Sequence, residues 1–286
     1  MFVRADLLLA EGEVSTGGRH IIHFGWEGFE PVLLVYDRKD GSVDRLPFDD
    51  LDWSLSEGKW CVGSFGNDGY RKCPNARKVT NFDQCQGCAS TWIPIQSCIY
   101  EPQCDGHRCE SRICRREHTV YVAFFGNRAK IGMTTSRRLR ERGIEQGADA
   151  IAPLVRKDNR LEGRKAEKDI SARLRLPQSM QRKHVLEAQG CKVGDEGLED
   201  RYRSYLETLS SRMEVLDAPL ELLNEYPLGD LDGGAPLLVD VPGRHRGRTV
   251  GLKGKFLFYE DCSSRLRALE LADLPGRFLK APAKRY

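Results

Sequence analysis

Residues 118–134 read His-Thr-Val-Tyr-Val-Ala-Phe-Phe-Gly-Asn-Arg-Ala-Lys-Ile-Gly-Met-Thr, and this stretch decides the fold of the middle of the chain. Its first half is rich in β-branched and aromatic residues, which favour a strand. The sequence Gly126-Asn127-Arg128 then predicts a turn, and residues 129–133 predict a returning strand. We therefore expect a β-hairpin here.

Signals for a helix, a strand and a second helix follow this hairpin. A short basic helix should end at Gly143, because glycine commonly follows the last helical residue. Residues 150–155 predict a third strand, and either Asp158 or Asn159 can cap the second helix. The predicted order over residues 119–190 is β-β-α-β-α.

Seven of the ten cysteines lie just before this unit, between residues 73 and 118. Clustered cysteines in a reducing compartment are more often metal ligands than disulfides, and zinc is favoured over an iron–sulfur cluster. Their spacing suggests two closed, structural zinc sites. We expect Cys73, Cys85, Cys88 and Cys98 to form one site, and Cys104, Cys109, Cys114 and His118 the other, with His107 as the alternative histidine.

The flanking regions have β character. Residues 1–72 alternate short apolar runs with turn signals, which is typical of a β meander or a small barrel. Residues 191–286 predict one helix followed by β segments that can complete the N-terminal sheet. The fold class is therefore α+β, with four parts: a β domain (1–72), a zinc-binding segment (73–118), the middle unit (119–190) and a helix with a β segment (191–286).

Composition narrows the class of function. No stretch approaches the 18 or so apolar residues of a membrane helix, and the N-terminus does not resemble a secretory signal, so we expect a cytoplasmic protein with no membrane partner. Residues 101–185 hold 20 Lys and Arg against 11 Asp and Glu. A basic surface beside zinc modules favours nucleic acid as the partner, and our leading hypothesis is that this nucleic acid is RNA. The expected contacts are Arg128, Arg137, Arg138 and Arg140.

The middle unit resembles the GIY-YIG nuclease superfamily over about residues 118–180, which implies a small β-β-α-β-α sandwich. The resemblance makes Tyr121 the water-activating tyrosine, Gly132 the glycine of the second triplet, and Arg140, by its spacing, the arginine that stabilises the scissile phosphate. It implies that Glu167 holds a single divalent metal such as Mg²⁺.

The chain departs from that nuclease pattern at several positions. Lys130 stands in place of the second tyrosine, and Ile144 in place of a helix histidine. The stretch 73–180 as a whole looks like an uncharacterised prokaryotic family that carries only a domain-of-unknown-function label. That closer resemblance implies Arg142, rather than Arg140, as the site arginine. The candidate catalytic residues are therefore Tyr121, Lys130, Arg142 and Glu167.

Three functions follow as alternatives. The first is a zinc-stabilised protein that binds structured RNA such as tRNA, with divergent or lost phosphodiesterase chemistry. The second is an RNA-modifying or group-transfer enzyme that uses the Tyr121, Lys130 and Arg142 pocket for a small phosphorylated substrate. The third is a protein–protein adaptor that presents its zinc-bound loops. Salt-dependent affinity for RNA distinguishes the first from the third.

Overall fold

The computed structural model describes residues 18–89, 95–108, 110–189, 193–229, 231 and 235–280. The strands are β1 (Arg19–Glu27), β2 (Glu30–Asp37), β3 (Val43–Arg45), β4 (Leu51–Leu55), β5 (Lys59–Trp60), β6 (Ser64–Gly66), β7 (Gly69–Arg71), β8 (Lys78–Val79), β9 (His118–Phe125), β10 (Arg128–Thr135), β11 (Ala150–Lys157), β12 (Glu221–Leu222), β13 (Leu237–Val239), β14 (Gly243–Lys253), β15 (Phe256–Asp261), β16 (Leu266–Glu270) and β17 (Phe278–Lys280). The α-helices are α1 (Leu139–Gln146), α2 (Arg160–Leu174), α3 (Arg182–Gln189) and α4 (Asp195–Ser210). The predicted α+β class is confirmed.

A nine-stranded sheet joins the two ends of the described chain. Its strand order is β13-β16-β15-β14-β4-β17-β1-β2-β3. Strand β4 lies between β14 and β17, with Trp53 opposite His245 and Leu55 opposite Leu279. The consecutive strands β1 to β3 form a meander. The barrel alternative is wrong, because the described strands form an open sheet that ends at β13 and β3.

Alternation along β4 shows how this sheet builds its core. Leu51, Trp53 and Leu55 are buried, whereas Asp52 between them is exposed. Successive side chains of a strand point to opposite faces, so one face of β4 joins the apolar cluster and the other meets solvent.

The middle unit contains a second sheet, with the order β10-β9-β11-β12. Strand β9 lies at its centre, antiparallel to both β10 and β11, and all eight of its residues are buried. It is buried on both sides because α2 and α4 cover one face, while α1, α3 and residues 223–228 cover the other. The elements β9, β10, α1, β11 and α2 follow one another in the predicted β-β-α-β-α order.

The helix boundaries follow from capping and packing. Helix α2 is capped by Asn159, whose side chain accepts a hydrogen bond from the backbone N–H of Glu162 at 2.9 Å. Helix α1 ends at Gly147 in the left-handed conformation, so the expected end at Gly143 is wrong. A Cβ atom on Gly143 would lie 2.6 Å from Cδ1 of Leu223. Gly143 therefore serves close packing inside the helix. None of the described helices is both long and apolar enough to span a bilayer.

The turn between β14 and β15 attaches the large sheet to the middle unit. A Cβ atom on Gly254 would lie 2.4 Å from the backbone nitrogen of Gly147, so the two backbones touch. The Trp26 indole N–H donates to the carbonyl oxygen of Gly254 at 2.8 Å, and Lys253 forms an ion pair with Asp149. This contact places the next residue, Lys255, beside α1.

Candidate functional site

Four cysteine sulfur atoms lie together on the loops that follow β5, β7 and β8. The Sγ atoms of Cys61, Cys73, Cys85 and Cys88 are all within 4.8 Å of one another, and those of Cys73 and Cys85 are 3.9 Å apart. A tetrahedral zinc ion with Zn–S bonds of about 2.3 Å separates its sulfur ligands by about 3.8 Å. The four thiolates therefore fit a closed, structural zinc site.

The turn after Cys61 prepares its sulfur for a metal. The backbone N–H groups of Gly63 and Cys85 point at the Cys61 sulfur, at 3.4 and 3.2 Å. Gly63 has a φ of +82°, and a Cβ atom there would lie 2.2 Å from the carbonyl oxygen of Arg71. Only glycine fits this left-handed, crowded position. These donors favour the thiolate, which is the form that binds metal, but burial acts more strongly and raises the pKa of Cys61.

The Cys73 thiol, unlike that of Cys61, is held near its ionised form. Burial acts to raise its pKa, but hydrogen bonds with the backbone of Arg77 and Asn75 contribute to a pKa of about 7. A substantial thiolate fraction at neutral pH is compatible with metal binding.

Three of the four cysteines predicted for the first site come together, and the fourth position is taken by Cys61 in place of Cys98. Cys61 was not predicted as a ligand because it precedes the dense cysteine run. A regular spacing could have indicated it, since 12 residues separate Cys61 from Cys73 and another 12 separate Cys73 from Cys85. Cys98 lies elsewhere: its carbonyl oxygen accepts from Arg160 Nη1 at 2.5 Å, and that Nη1 is 4.0 Å from the Cys114 sulfur.

The second predicted site is only partly within the described residues. Cys104, Asp105 and His107 have donor atoms within 4.8 Å of one another. Gly106 has a φ of +105° and donates its N–H to the Cys104 sulfur at 3.4 Å, which repeats the turn found at Cys61. Cys109 lies outside the described residues. The second zinc site stays a prediction.

His118 lies outside the described group of donors that contains Cys104. It is buried, and its Nδ1 donates to the carbonyl oxygen of Arg116 at 2.8 Å. Among the described donors, the histidine grouped with Cys104 is His107. The alternative assignment of His107 is therefore the one that the described geometry favours.

Tyr121 and Gly132 face each other across the β9–β10 hairpin. A Cβ atom on Gly132 would lie 2.5 Å from both Cζ and Oη of Tyr121, so the tyrosine ring occupies the space above the glycine. The Tyr121 hydroxyl accepts a hydrogen bond from Gln146 Nε2 at 3.0 Å. Burial raises the pKa of Tyr121, although Arg142 opposes the shift. The phenol is therefore protonated at neutral pH.

Lys130 lies two residues before Gly132 in β10, on the same face of the hairpin. Burial, together with the positive charges of Arg142 and Lys255, lowers the pKa of Lys130 to about 8, against the opposing effect of Glu167. Within the described part of the chain, Lys130 forms no ion pair. Arg142 and Lys255 line one cavity, and the charges of both act on Lys130; we call these three residues the basic cluster. Lys255 was absent from the predicted set because it lies about a hundred residues further along the chain.

Glu167 is not arranged as a free metal ligand. It is buried, and one of its carboxylate oxygens accepts from Arg164 Nη1 at 2.6 Å. The same guanidinium binds Glu101 at 3.2 Å. Glu167 belongs to neither of the two groups of described donors that could hold an ion. The geometry thus lends no support to Mg²⁺ at Glu167.

The four arginines predicted to contact nucleic acid lie on the outside of the middle unit. Arg137 is exposed and forms no ion pair with the described residues. The other three are ion-paired: Arg128 with Glu187 at 3.1 Å, Arg138 with Glu141 at 3.2 Å, and Arg140 with Glu221 at 2.6 Å. Exposed pairs contribute little free energy, so these arginines can exchange a carboxylate for a phosphate at small cost.

Comparison with known proteins identifies a family for this chain but no individual relative. No curated protein and no solved structure matches it significantly. A family model described as "Protein of unknown function (DUF2797)" matches residues 55–270, a range that contains the four grouped cysteines, Tyr121, Lys130 and Arg142. The chain therefore belongs to the DUF2797 family.

Proposed function

We propose that the protein binds RNA, that a structural zinc ion holds the loops of Cys61, Cys73, Cys85 and Cys88 in place, and that the basic cluster contacts a backbone phosphate. The observation that carries this proposal is the basic cluster itself, in which Arg142 and Lys255 line one cavity and both act on the charge of Lys130. Glu167 is paired with Arg164, so it offers the cluster little compensating charge. Arg142 pairs with Glu145 at 3.2 Å, whereas Lys130 and Lys255 form no ion pair with the described residues. Cations without a carboxylate partner, such as these two lysines, attract phosphate.

The proposed activity is RNA binding and not RNA cleavage. The Tyr121 hydroxyl is buried and protonated, and Glu167 is engaged by an arginine, so neither side chain is free for the role that the nuclease resemblance gives it. The order and pairing of β9, β10 and β11 support a sandwich of the GIY-YIG kind as a binding scaffold. Its phosphodiesterase chemistry is then lost or divergent.

The test is the salt dependence of tRNA binding. We expect the dissociation constant for labelled, unfractionated tRNA to rise steeply across a salt series, because each neutralised phosphate releases condensed counterions. Lys255→Gln should flatten the slope of log K against log salt by roughly 0.7 to 0.9, the value of one phosphate contact. Lys255 is exposed and lies in a hairpin turn, so the substitution should leave the fold intact.

Lys39 offers a matched control for this test. It is also an exposed hairpin-turn lysine without an ion pair among the described residues, and it lies outside the basic cluster. Lys39→Gln should leave the slope unchanged. Binding that is absent at low salt would refute the proposal and favour the adaptor. Equal effects of the two substitutions would show that the basic cluster is not the contact.

A second candidate function rests on the volume of a cavity beside the basic cluster. Arg142 and Lys255 also line a cavity of about 480 Å³, which is within the usual range for small-molecule sites. That size favours the alternative of an enzyme acting on a small phosphorylated substrate, although of the predicted pocket residues Tyr121, Lys130 and Arg142 it is Arg142 alone that lines this cavity. Such an enzyme would bind a free phosphorylated ligand as tightly as it binds RNA.

A further inference from the structure

The cavity beside the basic cluster is walled by three distant parts of the chain. It lies between β1 of the large sheet, the loops of the cysteine site, and α1 with the β14–β15 turn. Its walls combine aromatic rings, one amide and two cations. The residues that matter for its chemistry are His23, Trp26, Phe65, Gln84, Arg142 and Lys255.

One side of the cavity is aromatic. Phe65 is 50% exposed, although most large apolar side chains of the chain are buried. Its ring meets that of His23 edge to face, with centroids 6.0 Å apart. His23 lies directly over Gly25, where a Cβ atom would be 2.7 Å from its Nε2. A glycine thus leaves room for the histidine ring. Phe65 also packs against Tyr70, with ring centroids 5.3 Å apart, and still keeps half of its surface exposed.

The other side is cationic. Lys255 is exposed and has no ion-pair partner among the described residues. Arg142 donates one hydrogen bond to Glu145 at 3.2 Å, and a guanidinium has four further N–H donors. The two carboxylates of the lining are already paired, Glu145 with arginines and Asp83 with Lys59 at 2.7 Å. A phosphate would therefore meet donors in excess.

The amide of Gln84 connects the cavity to the cysteine site. Its Nε2 donates to the carbonyl oxygens of Gly63 and Cys88, at 2.7 and 3.2 Å. Because both acceptors are carbonyl groups, the amide orientation is determined and Oε1 remains as a hydrogen-bond acceptor. Its position depends on the loops that the thiolates hold together.

We propose that this cavity receives one nucleotide, with its phosphate at Arg142 and Lys255 and its base against Phe65. The ligand chemistry is that of a nucleoside monophosphate, whether free or as one unstacked unit of an RNA chain. The phosphate half of this inference rests on the proposed function above. The base half rests independently on the exposed aromatic ring, because stacking on an aromatic side chain tolerates every base.

The experiment measures binding of AMP, CMP, GMP and UMP to the zinc-loaded full chain by calorimetry, with inorganic phosphate as the reference. We expect the nucleotides to bind about 5- to 150-fold more tightly than phosphate, the range that one stacked base supplies. Phe65→Ala should remove this advantage. Phe82→Ala is the matched control, because Phe82 is a similarly exposed phenylalanine, at 58%, that does not line the cavity.

A second variant tests the phosphate end and does not depend on Phe65. Lys255→Gln should weaken AMP binding several-fold and leave adenosine binding unchanged. Zinc content and the unfolding midpoint of each variant show that the fold is intact. Nucleotides that bind no more tightly than phosphate, or an unchanged advantage in Phe65→Ala, would overturn the inference.

A further comparison distinguishes a free nucleotide from one unit of an RNA chain as the natural ligand. A single-stranded RNA hexamer that binds more tightly than AMP identifies a unit of a polynucleotide, whereas equal affinities identify a free nucleotide. Both results support the cavity assignment. Salt-dependent tRNA binding without any advantage of nucleotides over phosphate would overturn the cavity inference and leave the proposed function standing. Nucleotide binding without tRNA binding would overturn the proposed function and leave the cavity inference standing.

Discussion

Replacing Gly132 with alanine should destabilise the protein through a single cross-strand collision. The new Cβ atom would lie 2.5 Å from both Cζ and Oη of Tyr121, whereas nonbonded carbon atoms prefer about 3.5 to 4.0 Å. The ring must therefore move by about 1 Å or more. Tyr121 is only 1% exposed, so the movement disturbs packed neighbours.

The expected cost has two parts. Overpacking a close-packed core costs about 1 to 3 kcal/mol. Displacing the Tyr121 hydroxyl also breaks its 3.0 Å hydrogen bond with Gln146, worth about 1 kcal/mol. The loss leaves the Gln146 amide less satisfied still, since its buried Oε1 already lacks a protein partner among the described residues. We expect the free energy of unfolding to fall by about 2 to 4 kcal/mol.

Urea denaturation of the zinc-loaded protein measures this loss. Gly66→Ala is the control, because Gly66 is also a strand residue, but a Cβ atom there would meet nothing within 4 Å and its φ is not left-handed. In a Tyr121→Leu background the ring is gone, so Gly132→Ala should cost much less than it does in the wild type. A wild-type cost below about 0.5 kcal/mol, or an equal cost in both backgrounds, would refute the collision.

Three further predictions follow from the site and from the large sheet. Cys61→Ser should lower zinc content, measured by elemental analysis, whereas Cys262→Ser, at an exposed free cysteine, should not; equal zinc in both variants would remove Cys61 from the site. RNA affinity should weaken as pH rises through about 8, because Lys130 then loses its charge, and Lys130→Met should flatten that dependence in binding titrations. Burial lowers the pKa of His20 from 6.5 to about 4, so the unfolded chain takes up a proton as pH falls below 6.5 while the folded chain does not. Stability should therefore drop by about 2 kcal/mol between pH 8 and pH 5 through His20 alone, and urea unfolding of His20→Phe should lack that part of the loss.

Local patterns predicted the elements of the middle unit well. The hairpin of β9 and β10 depends on two strand-forming runs and the turn that joins them, all within residues 118–135. Helix α2 begins where Asn159 can accept a hydrogen bond from the backbone three residues later. Such features involve neighbours in sequence, so they can be recognised without knowing what packs against them.

Helix α1 shows where local reasoning fails. A glycine at position 143 resembles a helix end, and Gly147, four residues later, is the actual one. The difference is caused by Leu223, which packs so close to Gly143 that a side chain there would collide with it. Nothing near Gly143 in the sequence reveals a leucine eighty residues away.

The amino-acid sequence by itself determined that this protein is an α+β chain with a cysteine-rich segment before a β-β-α-β-α unit, because alternation, capping and cysteine spacing are local properties. Only the tertiary structure decided that Cys61 joins the thiolate group and that Arg164 forms an ion pair with Glu167. It also decided that Lys255 belongs to the basic cluster. The backbone contact between Gly254 and Gly147 brings Lys255 to α1. The physical reason is that packing between elements determines the distances between the side chains of a site. The spacing of residues along the chain does not predict that packing.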